Sequence, residues 1–163
     1  MTEILSLSKE HERSTVFGVT VFILDPKKRV FTFIEQEHKP WTGKNIGDYS
    51  VMCETREKGE VAMLNTLRGA HEETGISNRD ICSVLDLHNV RVWETEFMPG
   101  VWTTVSVINC SNPAKMESLI GSDCKPDGVV IGGWKTRDEL EALPVRIGVR
   151  NVLDKFADEI FAK

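Results

Sequence analysis

The sequence predicts an α/β (α+β) fold, a mixed sheet covered by helices, on three observations. Runs rich in β-branched and aromatic residues stand before and after one central helical segment, the first two runs are joined by a tight turn, and an amphipathic helical pattern closes the chain. A chain of 163 residues, 40% hydrophobic and 28% charged, suits one domain with one sizeable core. Residues 1–163 are therefore read as a single domain, with the polar, mixed-charge stretch 1–14 as an N-terminal extension.

Each element has its own signal. Val16 to Leu24 (VFGVTVFIL) reads as a buried strand. Asp25-Pro26-Lys27-Lys28 is a turn, with proline presetting φ and the aspartate able to bond the local backbone. Val30 to Glu35 returns as a second strand, giving a hairpin. His38 to Gly47 is a polar loop, and Tyr49 to Cys53 a short strand. Val61 to Thr74 is a helix, with Met63, Leu64, Leu67 and Ala70 at helical spacing and Gly75 where a C-terminal cap would stand. One or two short strands are expected within Ile81 to Trp93, another over Val101 to Asn109, irregular chain over Asn112 to Pro126, and a strand over Val129 to Trp134. Thr136 caps a small helix running to Leu143, which Pro144 interrupts. Gly148 to Ala162 is an amphipathic helix with Val149, Val152, Leu153 and Phe156 on one side.

The formal net charge of −5 argues against a protein that tracks a nucleic-acid backbone. It leaves small anionic ligands open, because a metal ion can supply local positive charge. No apolar run is long enough to cross a bilayer, and the N-terminus does not read as a signal peptide, so no membrane partner is expected. Cys53, Cys82, Cys110 and Cys124 form no CxxC pair, which argues against a zinc ribbon and for reduced thiols in the cytoplasm.

The chemistry concentrates in Arg68-Gly69-Ala70-His71-Glu72-Glu73-Thr74-Gly75-Ile76. Glu72 and Glu73 sit in the last helical turn, where the helix dipole disfavours negative charge by roughly 0.3–1 kcal/mol each. A bound cation would reverse that penalty; a solvated acidic face ending in a glycine cap is the alternative on these residues alone. The wider spacing resembles the Nudix box, G-x5-E-x7-R-E-U-x-E-E-x-G-U, where U is bulky and aliphatic. Glu60 fills the first Glu position, and Arg68, Ala70, Glu72, Glu73, Gly75 and Ile76 follow in register. Trp134 to Leu140 is similar to the Trp-x-x-x-x-Leu ending of such proteins, with one residue more.

The resemblance covers roughly Thr15 to Phe161 and implies a Nudix-type α-β-α sandwich. It implies a pyrophosphatase: a hydrolase cleaving a diphosphate bond in a nucleoside diphosphate-linked small molecule with Mg2+ or Mn2+. Glu72 and Glu73, with Glu60 and the main-chain carbonyl of Cys53, would be the metal-binding set. Arg68 would orient the carboxylates. A homodimer is also implied, since dimers are frequent among similar proteins.

Two positions depart from the box. Glu54 stands where the first Gly belongs, and Gly69 where the Glu after Arg belongs. In several such enzymes that Glu binds metal or serves as general base, a role typically contributing about 10²–10⁴-fold. Glu54 is the candidate replacement, entering from a loop that faces the helix. Glu57, Glu60 and the downstream acids Glu94, Glu96, Asp123 and Asp127 are alternatives. Restoring a glutamate at 69 is expected to raise activity, since it would share a helix face with Glu72 and Glu73. The departure also supports a second function, a nucleotide-binding or sugar-nucleotide-binding module without turnover. An isomerase of the same fold ranks last, for want of a matching cysteine motif. His71 reads as a surface residue. Trp41, Trp93, Phe97 and Trp102 could stack on a nucleobase or serve the core. Lys39, Lys44, Arg56 and Arg91 could meet phosphates or stay solvated.

Overall fold

The structure is a computed structural model and describes residues 16–120 and 128–162. The extension 1–14, Asp123, Cys124 and Asp127 lie outside the described residues. Strands β1 (Val16–Leu24) and β2 (Val30–Glu35) form the expected hairpin. Asp25 anchors its turn: the carboxylate accepts from the Lys27 amide at 3.0 Å, the Arg29 amide at 2.8 Å and Arg29 Nε at 2.6 Å.

The strand expected over 49–53 is instead two. β3 (Tyr49–Ser50) pairs with β2, and β4 (Met52–Thr55) pairs with β1, so the chain changes neighbour at the buried Val51. Glu54 consequently sits on a strand and not in a loop. Helix α1 (Ala62–Thr74) ends as expected at Gly75, whose φ of 72° lets its amide reach the His71 carbonyl at 2.8 Å. Of the expected apolar positions, Ala70 is buried and Met63 and Leu67 pack partly buried against the core, while Leu64 is exposed; Ala62, Asn65, Thr66, Gly69, Glu73 and Thr74 are also buried. Polar groups tolerate that burial where they are bonded: Asn65 Nδ2 donates to the Thr55 carbonyl at 3.2 Å and Thr74 Oγ1 to the Ala70 carbonyl at 2.5 Å.

Two further segments correct the sequence reading. Residues 81–93 hold the end of helix α2 (Asn78–Val84) and the start of a long strand, β5 (Leu85–Met98). The Ser77 side chain caps α2 by accepting the Asp80 amide at 3.2 Å. After β6 (Val101–Cys110), helix α3 (Pro113–Leu119) replaces the expected irregular chain, with Asn112 accepting the Lys115 amide at 3.0 Å and proline in the first turn. Strand β7 (Val129–Lys135) leads into α4 (Arg137–Ala142), where Thr136 and Glu139 form a reciprocal capping box. Helix α5 (Ile147–Ile160) follows.

Among the described residues, seven strands make one mixed sheet. β6 runs parallel to β1 and antiparallel to β5, while β2 carries β3 and β7. Alternation along β1 feeds two cores. Val19, Val21 and Ile23 join Ala70, Ile81 and Met116 beneath α1, α2 and α3; Phe22 and Leu24 join Leu140, Val149 and Val152 beneath α4 and α5. The result is an α-β-α sandwich. No helix of the described residues is long and apolar enough to cross a membrane.

Helix α5 approaches β5 so closely at Gly148 that a Cβ there would overlap the Phe97 ring. Gly148→Ala should therefore destabilise the fold, with overpacking of about 1–3 kcal/mol outweighing a helix-propensity gain of about 1 kcal/mol. Urea denaturation should show a lowered midpoint; an unchanged or raised one would contradict this packing.

Candidate active site

Strand β4 and helix α1 meet at Glu54 and Gly69. A Cβ built on Gly69 would lie 2.7 Å from Glu54 Cβ, 2.9 Å from Met52 Sδ and 3.1 Å from Glu54 Cγ. Glu54 thus occupies the space into which a side chain at 69 would project. A glutamate restored at 69 beside Glu54 has no room, so the expectation that this change alone raises activity does not survive the structure.

Glu54, Glu72 and Glu73 line one cavity of about 320 Å3, together with Cys53. Burial pushes the Glu73 carboxyl well above the usual carboxylate range; Glu54 and Glu35 add to the shift, and Lys44 and Arg146 oppose it. Burial raises Glu54 as well, with Glu72 beside it adding and Arg68 opposing. Burial also pushes the Cys53 thiol up to about 11, which keeps it protonated at neutral pH.

Arg68 ties these acids together. Its Nε and Nη2 bind Glu60 at 2.9 and 3.0 Å, and Nη2 also donates to the Thr55 carbonyl at 2.5 Å. Its Nη1 lies 3.4 Å from both Glu54 and Glu72. The Arg68 hydrogen bond holds Glu60 below the usual carboxylate range. Glu60 also accepts the Glu57 amide at 3.1 Å and is absent from the cavity lining, a placement that orients Arg68 instead of facing a ligand.

The remaining candidates separate. Glu94 and Glu96 belong to β5, not to a loop, and Glu96 lines a different cavity. Trp93 and Phe97 are core residues. Arg91 bonds the carbonyls of Glu159 and Ile160 at the end of α5. His71 is exposed, its Nδ1 2.8 Å from the Ile76 carbonyl. Lys39, Trp41 and Lys44 do line the cavity.

Two functional candidates were not legible in the sequence. Arg146, 3% exposed, lines the cavity and lies 3.8 Å from Glu35, itself 2% exposed. Burial raises Glu35, and its Oε2 has no hydrogen-bond partner. The only sequence signal was an acid closing an apolar strand and an arginine just before a helix.

Among the described residues, no three His, Cys, Asp or Glu side chains are gathered as a ready set of metal ligands. The donor chemistry nevertheless fits a hard divalent ion. Carboxylate oxygens line the cavity, and Glu54 and Glu72 stand close enough to raise the pKa of Glu54.

A pH dependence follows from the raised carboxyls. Between the usual carboxylate range and their raised values, the folded state binds more protons than the unfolded state. Stability of the chelator-treated protein should therefore fall as pH rises above the usual carboxylate range. Glu73→Gln should flatten that fall. Chemical denaturation across that rise in pH checks it, and an unchanged slope in the variant would contradict the assignment.

No protein-family model matches the chain, and no curated protein matches it by sequence. Solved structures do match. A Nudix hydrolase from M. smegmatis, RenU, aligns with TM-score 0.53 and 14% identity over 96% of this chain and 92% of that one. The MutT protein from Methanosarcina mazei Go1 aligns with TM-score 0.55 and 15% identity over 92% and 98%. A bifunctional NMN adenylyltransferase/ADP ribose pyrophosphatase from Francisella tularensis, complexed with AMP and a Mn ion, aligns with TM-score 0.51 and 14% identity over 94% of this chain and 44% of that one. The chain has the fold of the Nudix hydrolases.

Proposed function

We propose that this chain is a Nudix-like hydrolase that cleaves a diphosphate bond in a nucleoside diphosphate derivative. The observation that carries the reading is the fit of Glu54 into the space left by Gly69, which returns a third carboxylate to Glu72 and Glu73. Glu72 and Glu73, with the Cys53 carbonyl, would hold Mg2+ or Mn2+, and the Mn ion of the Francisella protein supports that choice. When bound, such an ion neutralises diphosphate charge and acidifies water.

The protein's own groups do the rest. Glu60 fixes the Arg68 guanidinium, and Arg68 in turn restrains Glu54 and Glu72. Glu54, raised by burial and by Glu72, is suited to accept a proton from an attacking water nearer neutral pH than an ordinary carboxylate. The second reading, a nucleotide-binding module without turnover, is favoured by one observation: Glu54 and Glu72 face Arg68, and the described residues gather no three metal-ligating side chains. Metal-dependent turnover against a panel of nucleoside diphosphate derivatives separates the two.

Glu72→Gln and Glu73→Gln should each weaken magnesium or manganese binding in calorimetric titration while the fold persists; unchanged affinity in both would remove the proposed metal site. Glu54→Gln should lower turnover by about 10²-fold or more. Glu57→Gln, whose side chain is 69% exposed, should change it little. Equal, small effects would return Glu54 to a passive strand residue.

A further inference from the structure

The loop that closes the other part of the cavity is built to present one aromatic ring. Trp41 is 74% exposed, the highest value among the exposed large hydrophobic residues, and it lines the same cavity as Glu54, Glu72 and Glu73. An indole left in water forgoes burial worth roughly 25 cal/mol per Å2, so its position calls for an explanation beyond packing.

The indole stands on a fixed support. Lys39 and Lys44 exchange backbone hydrogen bonds at 2.9 and 3.1 Å, closing the loop on itself. Within it, Pro40–Thr42 form a 3-10 turn ending at Gly43, whose φ is 74°. Arg146 then clamps the turn from the start of α5, donating from Nε and Nη2 to the Thr42 carbonyl at 3.2 and 2.8 Å. Arg146 is itself held over the Phe97 ring at 5.0 Å. A platform fixed before binding loses little entropy when a ligand arrives.

The charges beside the ring select the rest of the ligand. Lys39, Lys44 and Arg146 line the cavity along with the carboxylates, Lys39 paired with Glu37 and Arg146 committed to the rim turn. Lys44 is near enough to lower the carboxyls of Glu35, Glu37 and Glu73, which places its charge among the acids and not out in bulk water. A flat ring at the rim, cations beside it and carboxylates suited to a divalent ion match a ligand with an aromatic base at one end and a diphosphate at the other.

We infer that Trp41 is the stacking platform for the base of a nucleoside diphosphate, whose phosphates lie toward Lys44. The inference rests on the proposed reading of the cavity and adds what that reading leaves unassigned, the residue that recognises the nucleoside. It is tested by calorimetric titration of the full chain in magnesium with ADP and, separately, with inorganic pyrophosphate. Trp41→Ala should weaken ADP about tenfold or more and leave pyrophosphate unchanged. Trp41→Phe should recover most of the loss. Because Trp41 is exposed, thermal unfolding of both variants should match the parent. Unaltered ADP affinity in Trp41→Ala, or equal losses for ADP and pyrophosphate, would overturn the inference. So would a parent protein that binds ADP no better than pyrophosphate, although the diphosphate reading would then stand. A parent that binds neither would overturn both.

Discussion

The contact between β4 and α1 at Glu54 and Gly69 is the constraint on which the site depends. The two positions cannot both carry large side chains, because a Cβ at 69 would stand 2.7 Å from Glu54 Cβ. Glycine in a helix interior costs about 1 kcal/mol relative to alanine. Here the missing side chain lets the helix pack against the strand, with Glu54 of β4 lining the same cavity as Glu72 and Glu73 of α1.

That arrangement concentrates negative charge in a partly dry place. Three carboxyls are raised chiefly by burial, and neighbouring acids contribute to each. Arg68 offsets part of the repulsion from 3.4 Å, and Arg146 does the same beside Glu35. Two arginines thus brace the cavity from different elements: Arg68 from within α1, Arg146 from the start of α5. The second also fixes the 3-10 turn, so electrostatics and rim shape share one anchor.

Much of this was legible in the sequence. The hairpin, the central helix with its Gly75 cap, the Thr136 cap and the closing helix follow from local patterns that the tertiary structure respects. The segment 81–93 misled because its apolar residues suit either a strand or a helix, and only the Ser77 cap distinguishes the first part. The apolar spacing of α1 held for Met63, Leu67 and Ala70 and failed at Leu64, and it gave no sign that Asn65, Gly69 and Glu73 also turn inward. Glu72, Glu73 and Arg68 stood out by spacing. Glu35 and Arg146 did not, because they meet only through the fold, 111 positions apart in a chain whose pairing no local pattern encodes. The departures at Glu54 and Gly69 were visible in the sequence, but their steric linkage required the strand and helix together.

The linkage can be measured directly by reciprocal exchange. Glu54→Gly and Gly69→Glu should each lower magnesium-dependent turnover of a nucleoside diphosphate derivative, the first by removing a carboxylate and the second by forcing two into one space. Combined, they should restore turnover well above either single variant, because the acid is moved from strand to helix and only the flexible Met52 thioether, 2.9 Å from the new Cβ, is left to shift. A double variant no more active than the poorer single one would contradict the account.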